Sequence, residues 1–124
     1  MMHHQEVGLR RFDHFAVGVL TGSRILFSAF ENGGPMWTGN GTRVERQYVQ
    51  FEEPFSAPPE VHLSLSMWDV AGDSNQRLDI QPVQISETGF VIEFRTWDDT
   101  RVARVRASWM AIGPVRHLDD FHED

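Results

Sequence analysis

The sequence predicts an all-β fold, a six-stranded antiparallel β-sandwich, and three observations point to it. Apolar and polar residues alternate with period two in several short runs, long stretches of helical periodicity are missing, and turn-forming residues punctuate the runs at short spacing. A half-buried strand sends alternate side chains into the core and into water, so the alternation also marks the inward residues.

In chain order, Val17 to Phe30 reads as the first strand, with a turn or bulge near Thr21-Gly22. Glu31 to Gly41 is a glycine-rich loop that nevertheless carries Trp37, and Gln47 to Phe51 is a second strand ending before Pro54. Val61, Leu63, Leu65 and Met67 alternate with His62, Ser64 and Ser66, giving a third strand entered through Pro58-Pro59. Leu78 to Ile85 contains Pro82, which lacks a ladder donor, so this strand belongs at an edge or carries a bulge. Phe90, Ile92 and Phe94 face inward after the turn Ser86-Glu87-Thr88-Gly89, and Val105, Ala107, Trp109 and Ala111 do so in the last strand. Asp98-Asp99-Thr100 reads as a short polar hairpin loop between these two. The chain thus divides into an N-terminal tail (1–16), one sandwich domain (17–113) and a C-terminal tail (114–124).

Composition narrows the function. The chain of 124 residues is long enough for one domain with a real core. It has no cysteine, so disulfides, thiolate nucleophiles and cysteine zinc sites are excluded. The 18 acidic against 11 basic residues give a net charge of −7, which disfavours nucleic acid and anionic membrane partners. Every basic residue except histidine is arginine, a planar fork that grips hydroxyls and carboxylates bidentately. Met1 to Glu6 lacks the order of a signal peptide, and Phe15 to Phe27 is too short and too polar to span a bilayer. The expectation is a soluble protein without membrane insertion, cytoplasmic or released by a non-classical route.

Three sets of residues are candidates for chemistry. Arg77 and Trp97 fall at strand ends beside polar loops, with Trp97 on the outward parity of its strand. A sugar presents C–H groups to an aromatic ring and hydroxyls to forked donors, which suits this pair; so does a tryptophan packed under a loop or in a subunit interface. Asp98 and Asp99 have the composition of a glycosidase pair, but an exposed Asp-Asp-Thr turn explains them better. His3, His4, His14, His117 and His122, with Asp119 and Asp120, lie in or near the tails without a scaffold to fix a metal, so no cofactor is expected. Phosphate-cradling, nucleophile-elbow and zincin motifs are missing, and Gly33, Gly34, Gly39 and Gly41 are turn glycines rather than a dinucleotide fingerprint.

The run from Gly89 to Val102, with Gly89-Phe90, Thr96-Trp97 and Thr100, followed by Ala107-Ser108-Trp109-Met110-Ala111-Ile112-Gly113, resembles the closing strands of H-type lectin domains. This is the family of the snail agglutinins and the discoidin C-terminal domains. Phe51 to Phe55, Pro58-Pro59, Val61 to Met67 and Leu20 to Ser23 are similar to its earlier strands, so the resemblance covers residues 17 to 113. It implies a lectin rather than an enzyme, assembled as a homotrimer or homohexamer, whose partners are glycans ending in galactose, N-acetylgalactosamine or related sugars. Residue by residue, it implies sugar contacts from Arg77, Trp97 and Asn40, a main-chain contact at Thr38, and a variable neighbour at Asp98. Asn40 stands where the animal lectins commonly carry aspartate, and Ala103 where the snail lectins carry an aromatic contact; both departures bear on the choice of sugar. The alternative is a non-catalytic trimeric assembly or adhesion module that has lost its sugar.

Overall fold

The computed structural model describes residues 8–12 and 16–117. His3, His4, His14, His122, Asp119 and Asp120 lie outside the described residues. Six strands form: β1 (Ala16–Ser28), β2 (Arg43–Gln50), β3 (Glu60–Val70), β4 (Leu78–Val83), β5 (Gly89–Thr96) and β6 (Val102–Val115). Two helical turns, α1 (Ala29–Asn32) and α2 (Pro35–Thr38), separate β1 from β2. The strands make two three-stranded antiparallel sheets, ordered β1-β6-β3 and β2-β5-β4. The fold is an all-β sandwich.

The core forms where the two central strands face each other. Phe90, Ile92 and Phe94 of β5 and Val105, Ala107 and Ala111 of β6 are all fully buried, on the parity the alternation indicates. Aromatic contacts extend this seam, Phe27 with Phe94 at 5.5 Å and Phe90 with Trp109 at 5.9 Å between ring centroids. Pro82 lies in β4, an edge strand, where a missing N–H is tolerated.

Several local expectations are corrected. Thr21 and Gly22 stay in register with Met110 and Trp109, and the irregularity of β1 falls between Ile25 and Phe27. Gly22 is there for close approach: a Cβ at this position would run into the Trp109 indole. β1 ends at Ser28 rather than Phe30, because Gly33, in the left-handed region at φ 62°, closes the turn α1. Pro35 at the first position of α2 organises part of the expected loop into a second turn. β6 continues through Pro114 and Val115, which pair with Val17 and Ala16. Asp98-Asp99-Thr100 is not a hairpin loop, since β5 and β6 belong to different sheets and the segment carries the chain across the sandwich. Thr100, fully buried, anchors that crossing by donating to the Asn75 carbonyl at 2.6 Å.

The outward charges pair within their own sheets. Glu93 accepts from Gln81 Nε2 and Arg46 Nε, each at 2.9 Å, across both neighbours of β5. Arg95 lies 3.5 Å from Asp79, and Arg104 lies 3.6 Å from Asp69.

Phe94→Ala should remove about 3–5 kcal/mol of stability, read from urea unfolding, because it opens a cavity on the aromatic seam. The Gln81 and Arg46 hydrogen bonds hold the Glu93 carboxyl below its ordinary value of 4.5. The stability they add is therefore fully present above pH 4.5 and is lost as the pH falls through the lower folded-state value. Melting curves of Glu93→Gln and the parent should accordingly converge in acid and separate above that pH.

Candidate functional site

One end of the β2-β5-β4 sheet collects the residues singled out in the sequence. Arg43, Thr96 and Leu78 are paired neighbours in the last rung, so Trp97 leaves β5 beside the entrance to β2 on one side and Arg77 on the other. The strands alone would leave three loops splayed here. Buried polar side chains bind them instead.

Two threonines fix Arg77. Its backbone N–H donates to Thr100 Oγ1 at 3.0 Å, and its carbonyl accepts from Thr96 Oγ1 at 2.6 Å. Both hydroxyls are fully buried, where leaving either unpaired would cost about 1–3 kcal/mol. The Arg77 guanidinium, held from its base, reaches Asp99 at 3.0 Å and Asp98 at 3.9 Å. Those carboxylates are 66% and 54% exposed for Asp98 and Asp99 respectively, so they clamp the arginine at the surface rather than facing each other across a cleft. A glycosidase pair needs its two carboxyls on opposite sides of a bound sugar; here both share one cation.

Arg43 fixes the other side and was not singled out in the sequence. It is buried, and its guanidinium serves four carbonyls: Gly41 through Nε at 3.0 Å, Met36 and Pro35 through Nη1 at 3.1 and 3.5 Å, and Asp98 through Nη2 at 3.1 Å. Burial pulls its pKa below the ordinary guanidinium range. Nothing in the motif Thr42-Arg43-Val44 distinguishes this arginine from the exposed ones nearby; only the carbonyls converging on it do.

These ties bring Asn40, Trp97, Asp98 and Arg77 into one cluster. The Gly41 N–H donates to the Asp98 carbonyl at 3.0 Å and to Asn40 Oδ1 at 2.9 Å. Asp98 therefore meets the Asn40 loop with its main chain and Arg77 with its carboxylate. It does so in the left-handed region, at φ 61°, a conformation that aspartate tolerates better than most residues. Trp97 is half-buried, with the Arg95 guanidinium 5.6 Å from its ring centroid, and with Thr42 and Arg95 it borders a shallow hollow. Thr38 stands further back: its hydroxyl donates to the Gly33 and Gly34 carbonyls and closes α2. Ala103 is buried, so it turns inward rather than walling the cluster. Among the described residues, no three histidine, aspartate or glutamate side chains are grouped to hold a metal.

The cluster offers an aromatic ring, a forked cation, an amide and a carboxylate at one end of the sheet, and a shallow hollow bordered by Thr42, Arg95 and Trp97 lies at its side. It suits recognition of a polyhydroxylated surface more than chemistry upon it. Arg43→Met should cost at least about 2 kcal/mol in denaturant unfolding by stripping the carbonyls of their donor. Arg43→Lys should not restore the loss, because one ammonium cannot follow the planar fork to four acceptors.

The family model of the H-type lectin domain matches residues 46–112, more than half of the chain. A Fuscovulum blasticum protein described as "ATP synthase subunits region ORF 7" is 56% identical over 106 residues, covering 86% of this chain and 92% of that protein. A discoidin-1 chain of Dictyostelium discoideum is 35% identical over 75 residues, which span 60% of this chain and 30% of the discoidin. The recombinant discoidin II of the same organism superposes with a TM-score of 0.71 at 19% identity, covering 87% of this chain and 40% of that one. The fold, the matched segment and the relatives agree: this chain belongs to the H-type lectin domain family.

Proposed function

We propose that the protein is a multivalent carbohydrate-binding lectin without enzymatic activity, and that Arg77, Asn40, Trp97 and Asp98 form its sugar site. The observation that carries this reading is Arg77, whose main chain is fixed by two buried threonines and whose guanidinium is held at the surface by Asp99, at the sheet end where Trp97 and the Asn40 loop also lie. Arg77 and Asp98 would hydrogen-bond hydroxyls, Asn40 would serve as donor or acceptor, and Trp97 would cover the C–H face; Thr38 would add a main-chain contact. The sugars are of the galactose or N-acetylgalactosamine type or related to them. An amide at position 40 has two donors as well as an acceptor, so the hydroxyl pattern read there differs from the one a carboxylate reads.

A shallow site excludes little water, so each sugar binds weakly and function depends on several copies acting together. We infer a homotrimer or homohexamer, in which avidity gains of about 10²–10⁴ are available. The exposed Val17, Val19 and Met110 on the outer face of the β1-β6-β3 sheet, 55%, 54% and 41% accessible, support self-association. The same apolar side chains favour one alternative, an assembly or adhesion module in which Trp97 is a contact between protomers. Among the described residues no helix is long and apolar enough to cross a membrane.

A glycan array tests the reading, with sedimentation run on the same samples. The parent should bind a coherent set of terminal sugars. Arg77→Ala should lose that binding by at least about tenfold, as loss of a charge-assisted hydrogen bond requires. Trp97→Ala should lose sugar retention while keeping the oligomer. A blank array from a folded oligomer, together with dissociation of Trp97→Ala, would establish the assembly module instead.

A further inference from the structure

Strand β2 turns its polar side inward. Arg43, Glu45 and Gln47 lie opposite Thr96, Phe94 and Ile92, all fully buried, while Val44 and Tyr48 face water. On an edge strand, inward charges discourage pairing with another chain. That role, with their hydrogen bonds, accounts for two of the three. Arg43 is occupied by carbonyls, and Gln47 bridges the sheets by donating to the Leu26 carbonyl at 2.6 Å while its oxygen accepts from Arg24 at 3.3 Å.

Glu45 is not accounted for in this way. Its carboxylate is half-buried at the wall of a hollow of about 380 Å³ between β1, the two helical turns and β2, beside Phe27, Ser28 and Met36. It accepts from the Gln47 amide at 2.8 Å, and no ion pair among the described residues includes it. Arg24 reaches it only through that neutral amide, and Arg43 is turned toward the α2 and Asp98 carbonyls. A carboxylate has about four lone-pair sites, and a partly desolvated one is costly without a cation. The hollow is within the usual size of small-ligand pockets, and its remaining walls are apolar apart from Ser28 and Arg43, whose guanidinium is taken up by the Gly41, Met36 and Asp98 carbonyls.

We propose that this hollow is a second ligand site, separate from the Arg77–Trp97 cluster, and that it takes a small organic ammonium. The N–H groups pair with Glu45, and the apolar or C–H-bearing body of the ligand lies against Phe27 and Met36. The cation binds as it stands, with no proton transferred. The net charge of −7 further favours cations near the protein.

Titration of the full chain with benzylammonium chloride, followed by two-dimensional amide NMR, tests this, with benzyl alcohol as the uncharged twin. Benzylammonium should bind at least about tenfold more tightly than the alcohol, the scale of one charge-assisted hydrogen bond. It should shift the amides of Phe27–Ala29 and Val44–Gln47. Glu45→Gln, nearly isosteric, should abolish the preference for the cation, and Arg77→Ala should keep it. Glucosamine beside glucose repeats the comparison on a sugar body, so the arms separate an aromatic amine from an amino sugar as the better fit. Equal binding of ammonium and alcohol in the parent, or an unchanged preference in Glu45→Gln, overturns the proposal. Shifts confined to Asp98 and Asp99 overturn it too, without recourse to any variant.

Discussion

The guanidinium of Arg43 closes one end of the β2-β5-β4 sheet, the end that carries the candidate site. A sandwich built by two three-stranded sheets stops at the last rung, and the connections beyond it have unpaired carbonyls with no strand to meet. Those of Met36, Gly41 and Asp98 converge on one planar cation, whose fork reaches all of them at 3.0–3.1 Å. A buried charge is tolerated because its donors are met by acceptors, and the acceptors are relieved by the same contact. The Asn40 loop, α2 and the crossing from β5 to β6 become one surface as a result. Thr96 and Thr100 do the same for Arg77 on the far side of β5 with neutral hydroxyls.

The site that results is made of loop residues held by buried polar anchors, a common division of labour between scaffold and recognition surface. Arg77 is ordered from its backbone outward, and its two acidic neighbours fix the direction of its fork before any ligand arrives. Such preorganisation lowers the cost of binding without adding contact area. The depression beside Trp97 is shallow, which is why the proposed sugar binding is paired with a proposal of several copies acting together. On the other flank of the sheet, β2 presents polar groups to an interior hollow. The two faces of this one edge strand therefore have opposite character to those of the central strands.

Strand β2 also shows where pattern reading runs out. In β3, β5 and β6 the alternation in the sequence marks the buried face correctly, because apolar residues fill the inward positions of strands that face the opposite sheet. In β2 the apolar residues Val44 and Tyr48 point outward and the polar ones inward, so periodicity gives the wrong face until Val49. The inward groups are satisfied by carbonyls of β1 and of the helical turns, partners remote in sequence. Gly22 is a similar case: the glycine is visible in the sequence, but the Trp109 ring that requires it arrives from β6.

Legible in the order of residues are the all-β class, six strands, an edge or bulged place for the Pro82 strand, and the resemblance carried by Gly89-Phe90, Thr96-Trp97, Thr100 and Trp109. Each of these depends on local properties: side-chain period, ring constraint or motif spacing. The parting of β5 and β6 into different sheets, the anchoring of the loops by Arg43, and the hold of Thr96 and Thr100 on Arg77 emerge with the assembled fold. Those facts depend on which backbone carbonyls and N–H groups are left over when the strands have paired. Leftover groups are a property of the assembled sheets, because nearly every residue brings the same donor and acceptor and only topology determines which of them remain unpaired.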